Sequence, residues 1–124
     1  TYVMKILLRE SLMRKELQSL PYEYSHIKID YGWGQGYVLV PPNHPAYTID
    51  AEYIDVHGGI TWDHVITKQD IKYQMDLHPD DLHHRMLGFD TAHYEDNMLR
   101  WPKEQVLKET ERLRDQLIKY KTKD

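Results

Sequence analysis

The stretch "HIKIDYGWGQGYVLVPP", residues 26–42, decides the fold. Ile27, Ile29 and Tyr31 alternate with polar residues, which is the two-residue period of a half-buried strand. A second β-type run, Tyr37–Val40, follows the glycines, and Pro41-Pro42 closes it. Two such runs around a glycine-rich break predict a hairpin that turns at "GWGQG" (32–36). Gly-x-Gly-x-Gly can also cradle a phosphate, but that use needs a helix opening directly behind it, and none follows here.

Upstream, "RESLMRKELQSL" (9–20) predicts a short helix. Leu12, Met13, Leu17 and Leu20 fall on one side, and Pro21 forbids continuation. Met4–Leu8 fits a strand or an extension of that helix equally well. The opening "TYVMKILL" is read as placing the natural start at Met4, with Thr1–Val3 foreign to it. Downstream, "PPNHPAYT" (41–48) predicts a rigid loop, and "EYIDVHGGITW" (52–62) a strand, a glycine break and a restart. Residues 63–84 lack a clear period and read as a functional or mobile loop, with one helical turn after Pro79. "RMLGFDTAH" (85–93) predicts a buried strand running into a turn.

The C-terminal "WPKEQVLKETERLRDQLIKYK" (101–121) predicts a helix. Pro102 suits its first position, and Val106, Thr110, Leu113 and Leu117 form one stripe, widened by Leu107 and Ile118. Glu104–Lys108 and Asp115–Lys119 are favourable i,i+4 pairs. The order of elements gives an α+β fold: a small antiparallel sheet with N- and C-terminal helices packed on it, in a single domain over residues 1–124.

Composition narrows the chemistry. The chain has no cysteine, which removes disulfides, thiolate metal sites and Cys nucleophiles and points to a reducing compartment. No apolar run approaches the roughly 18 residues of a membrane span, so the expectation is a soluble intracellular protein with no membrane partner. The net charge of -4 argues against a nucleic-acid partner. Ten Tyr and three Trp stand against one Phe, a balance that suits half-buried surfaces and interfaces.

Candidate chemistry concentrates in "DVHGGIT" (55–61) and "GFDTAH" (88–93). On a strand Asp55 and His57 would share a face. Gly58-Gly59 would let backbone approach a ligand, with Thr61 adding a hydroxyl. Asp90 and His93 would converge where the second segment leaves its strand. If the two segments face each other, Asp55, His57, Asp90 and His93 can act as acid–base pairs, each Asp holding the tautomer of a His. Alternatively His57, Asp90 and His93 can bind a divalent metal. The competing structural reading is that each Asp–His pair only orders a turn. His44, fixed by its proline-rich loop, is a further ligand-binding candidate. His78, His83 and His84 beside Asp80 and Asp81 offer a second metal cluster, and His26 and His64 read as ordinary polar positions.

Known templates fail. Asp-x-His also opens calcineurin-like metallophosphoesterases, but those domains are much longer and need an Asn and later His motifs missing here. Gly-x-Ser-x-Gly, His-Glu-x-x-His and Walker sequences are absent.

The combination "GYVLVPPNHPAY … IDVHGGITW … GFDTAHYED … VLKETERLRDQL" resembles a group of small uncharacterised proteins of bacteriophages and prophages. Its motifs fall on Gly36–Pro45, Val56–Thr61 and Gly88–His93, ahead of the helix from Pro102, and the resemblance covers roughly residues 36–118. Thr91 departs from the group, which carries Cys at that position, and the N-terminal helix has no counterpart in it. The resemblance implies a phage origin and action in the cytoplasm of the bacterial host; it implies no activity.

Two functions follow as expectations. The first is an accessory protein whose His/Asp pocket binds a small ligand or divalent metal, with hydrolytic activity in reach. The second is an inhibitor of a host defence or replication enzyme acting by protein–protein contact, in which the His/Asp motifs only hold the fold.

Overall fold

The computed structural model describes residues 4–12, 15, 16, 19 and 31–122. Four strands, β1 (Lys5–Glu10), β2 (Gly34–Val40), β3 (Trp62–Val65) and β4 (Arg85–Phe89), form one antiparallel sheet in the order β1-β2-β4-β3. A short helix, α1 (Lys68–Tyr73), follows β3, and a long one, α2 (Lys103–Ile118), ends the chain. The fold is α+β, as the pattern of elements predicts.

Register sorts the strand residues into two faces. On one, Ile6 pairs with Val38 and Val38 with Leu87, while Leu8 pairs with Gly36 and Gly36 with Phe89. The stripe on α2 covers this face: Val106, Thr110, Leu113 and Leu117 are fully buried with Val38, Val40, Leu87 and Phe89. At about 25 cal/mol per Å² of apolar surface, this packing is the main stabilising term. Leu107 stays more than a third exposed, so it does not widen the stripe.

The other face carries Leu39, Met86, Leu7 and Tyr37. Ile66, Leu77 and Ile71 of the 66–82 segment cover its near half. That segment is far more ordered than its composition implies. Thr67 caps α1 through a reciprocal capping box with Asp70, and a 3-10 turn at Pro79–Asp81 occupies the position of the expected helical turn.

Four expectations are corrected. Arg9 and Glu10 belong to β1 and Ser11 is in neither strand nor helix, so helical geometry starts only at Leu12, with Lys15 and Glu16 also helical and Ser19 in a turn; positions 13, 14, 17, 18 and 20 of the expected helix lie outside the described residues. Gly34 and Gly36 sit inside β2 rather than in a turn, and Ile27 and Ile29 of the expected hairpin lie outside the described residues. The glycines serve close packing: a Cβ on Gly36 would meet Thr110 Oγ1 and, at 2.9 Å, Phe89 Cε1. Residues 54–56 are loop, leading from a 3-10 turn at Ala51–Tyr53 into a turn at His57-Gly58. Pro102 is the N-cap of α2, one position ahead of its expected place.

Buried Arg85 ties the 45–49 loop to the sheet. It donates to Asp63 Oδ1 and Oδ2 at 2.8 and 2.7 Å, and to the carbonyls of Ala46, Tyr47 and Ile49. Among the described residues no helix is long and apolar enough to cross a membrane.

Candidate functional site

The two motif segments do meet. The His57 and His93 rings lie edge to face with centroids 5.6 Å apart. Gly58 has φ +69° and packs directly on the His93 ring, where a Cβ would stand 2.7 Å from Cδ2. Gly59 follows at φ +78°, so the double glycine makes a left-handed turn that other residues would strain.

Asp96, absent from the expected set, is the hub of this contact. Its buried carboxylate meets His57 Nε2 at 2.9 and 3.1 Å and accepts the His93 backbone N–H at 2.9 Å. Trp101 lies against the His57 ring, centroid to centroid 4.1 Å. The His57 backbone N–H donates to Glu109 on α2. Burial pushes the Glu109 carboxyl up, but hydrogen bonds from Arg112 and the His57 backbone outweigh that and hold it below its ordinary value.

His93 completes the cluster. Its Nε2 stands 2.9 Å from Asp90 Oδ1, yet the approach is not that of a hydrogen bond, and the atom is buried without one. The two groups are in electrostatic contact, and a modest ring rotation would align the bond.

Asp55 does not join. Its carboxylate faces Arg112 at 3.2 Å, its backbone N–H donates to Gln116 Oε1, and its carbonyl accepts from Gln116 Nε2. Because 54–56 is loop, the strand rule that would have put Asp55 beside His57 does not operate. His44 is buried, and its Nδ1 accepts the Ala46 N–H as the cap of a 3-10 turn. His64 pairs with Asp70 at 2.6 Å. His78 caps the turn that contains Asp81, whose carboxylate binds Lys5 at 2.7 Å. Among the described residues no group of three or more His, Asp or Glu is arranged to hold a metal ion, neither His57, Asp90 and His93 nor the 78–84 group. Thr91 is buried and donates to the Gly34 carbonyl at 2.8 Å.

A concave site opens on the other side of Asp90. It is a cleft of about 480 Å³ on the sheet face opposite α2, and Asp90 and Thr61 line it with Arg9, Gln35, Tyr37 and Trp62. Register explains the company. Tyr37 pairs with Gly88 and Gly88 with Trp62, one row of side chains; Arg9 pairs with Gln35, the row beyond. The 66–82 segment covers the rows nearer Leu39 and Met86, and the cleft lies past its edge. Burial raises the Tyr37 hydroxyl above its ordinary value; Arg9 opposes the rise and Asp90 adds to it, so the phenol stays protonated and can donate. Sequence reasoning finds Asp90 and Thr61 but misses Arg9, Gln35, Tyr37 and Trp62, which only strand pairing brings together.

No known protein family matches the chain, and no curated protein or solved structure does either.

Proposed function

We propose that the protein binds a small ligand in the cleft between Tyr37, Trp62 and Asp90, as an accessory protein of phage type acting in the cytoplasm of a bacterial host. One observation carries the binding reading: a concavity within the size range of small-molecule sites, roughly 300–1,000 Å³, combines aromatic walls with a few convergent polar groups. The phage setting rests on the motif resemblance alone. The His57–His93–Asp96 cluster acts behind the cleft. It fixes the segment after β4, and with it Asp90.

A fragment screen on three chains tests this reading. Ligands of the cleft should bind wild type and His57→Ala, and should be lost from Trp62→Ala. Ligands lost from His57→Ala but kept by Trp62→Ala would move the site to the histidines.

A second reading, contact with a host defence or replication enzyme, is favoured by a different feature. The 92–100 loop is pinned through Asp96, and Asn97 caps it by accepting the Arg100 N–H. On it Tyr94 and Leu99 stand 95% and 91% exposed. A pre-ordered loop presenting a Tyr and a Leu suits an interface anchor. If this reading holds, Tyr94→Ala and Leu99→Ala abolish capture of the host enzyme while Trp62→Ala leaves it intact.

A further inference from the structure

The geometry points to a planar nitrogen heterocycle bearing an exocyclic amine as the ligand of the cleft, an inference that rests on the cleft being a binding site. The stacking surface comes first. Trp62, 47% exposed on the edge strand, offers the stacking face; the Tyr37 ring, lying across Gly88 and under the Arg9 guanidinium, contributes its edge and hydroxyl beside it. An exposed aromatic face bordered by an aromatic edge favours a flat ring over an aliphatic ligand.

The second row sets the polarity. Arg9 is already engaged: its Nε and Nη2 donate to Asp76 at 2.9 and 3.0 Å, and Nη2 donates to Gln74 at 2.7 Å. Its charge is therefore met before a ligand arrives. Asp90 is only half used. Oδ1 accepts the Ala92 N–H and faces His93, whereas among the described residues Oδ2 has no partner. Gln35 can donate or accept. The spare capacity beside the stacking surface is thus the Asp90 Oδ2 acceptor together with Gln35.

A ring presenting in-plane N–H donors satisfies both rows, as the amino edges of cytosine and adenine do. A ring whose corresponding edge is a carbonyl sets an acceptor against the Asp90 carboxylate. An anionic group faces the same repulsion, so a phosphate adds nothing at this end of the cleft.

Calorimetry on the full chain with cytidine, uridine, adenosine and inosine tests the inference. Cytidine should bind at least tenfold more tightly than uridine, and adenosine than inosine. Asp90→Asn keeps the Oδ1 acceptor and the side-chain shape, and should erase those two differences while leaving residual stacking affinity. Trp62→Ala should weaken all four. The preference in the unaltered chain decides the class by itself if Asp90→Asn folds poorly. Equal affinities within each pair, or a preference that survives in Asp90→Asn, would overturn the ligand class. Failure of all four while other small molecules shift the amide resonances of Gln35 and Trp62 would overturn the class and leave the cleft as a site. If no small molecule shifts those amides, the cleft reading falls and this inference falls with it.

Discussion

Tyr37 lies across Gly88: a Cβ built on Gly88 would stand 2.6 Å from Tyr37 Cε1, inside any real contact distance. The missing side chain on β4 shapes the floor of the cleft, because any larger residue there would lift the Tyr37 ring off the sheet. The same ring lies under the Arg9 guanidinium, 5.1 Å from its carbon, so it has little freedom to yield.

Gly88→Ala is therefore expected to cost about 1–3 kcal/mol of stability, the range for overpacking a filled site. Urea denaturation measures the loss, and amide shifts centred on Tyr37 and Trp62 would locate it. An unchanged midpoint would mean that Tyr37 has room to move.

Gly58→Ala is expected to be destabilising for two separate reasons. Its φ of +69° disfavours a side chain, and the new methyl would drive into His93. Asp96→Asn should also lower stability, by about 1–3 kcal/mol, because it weakens the buried acceptor shared by His57 and His93. A double-mutant cycle should show non-additivity between them, since both act on the same contact. Simple additivity would separate the turn from the clasp.

Much of this was legible in the sequence, and the failures have physical causes. β4 is buried at all five positions, so its apolar run reads as a strand, and α2 buries one clean stripe at helical spacing. Met4–Leu8 fits a strand or a helix because so short an apolar run satisfies either period, and Arg9 and Glu10, which read as helix, belong to β1. Gly34 and Gly36 read as a turn because glycine is the common turn residue; their real role, room for Thr110 and for the β1 backbone, depends on elements distant in the chain. The meeting of 55–61 with 88–93 is legible as two motifs of like composition, whereas Asp96 and Trp101 reach His57 only through tertiary contact and carry no sequence signal. Asp55 lies apart from His57 because residues 54–56 are loop, where the two-residue period of a strand does not hold.

Acid should loosen the fold through carboxylates held below their ordinary range. Hydrogen bonds from Arg85 lower Asp63, and those from Arg112 and the His57 backbone lower Glu109 against its burial. A carboxyl with a lower pKa in the folded chain takes up its proton more readily when unfolded. Its stabilising contribution is complete above the unfolded value, about 4, and is lost as pH falls through the folded value. The stability gap between wild type and Glu109→Gln should therefore close as pH falls from about 5 to 3. A gap that stays constant over that range would contradict the assignment.

Arg85→Met should be among the most destabilising single changes. It strands the carbonyls of Ala46, Tyr47 and Ile49 and leaves Asp63 without its bidentate partner. Asp63 is 41% exposed and can turn to water, so the cost comes mainly from the stranded carbonyls and is about 1–3 kcal/mol. Guanidinium denaturation reads the loss, and hydrogen exchange should speed up first in 45–49. A loss below about 1 kcal/mol would show that water replaces the guanidinium, the exposed-pair limit.

The most direct measurement of the central claim is an amide chemical-shift map of the full chain against a fragment library. The account predicts that the binding fragments move Gln35, Tyr37, Thr61, Trp62, Gly88 and Asp90 together, and that Trp62→Ala removes the effect. Shifts confined to His57, His93 and Tyr94, with the cleft amides unmoved, would contradict it.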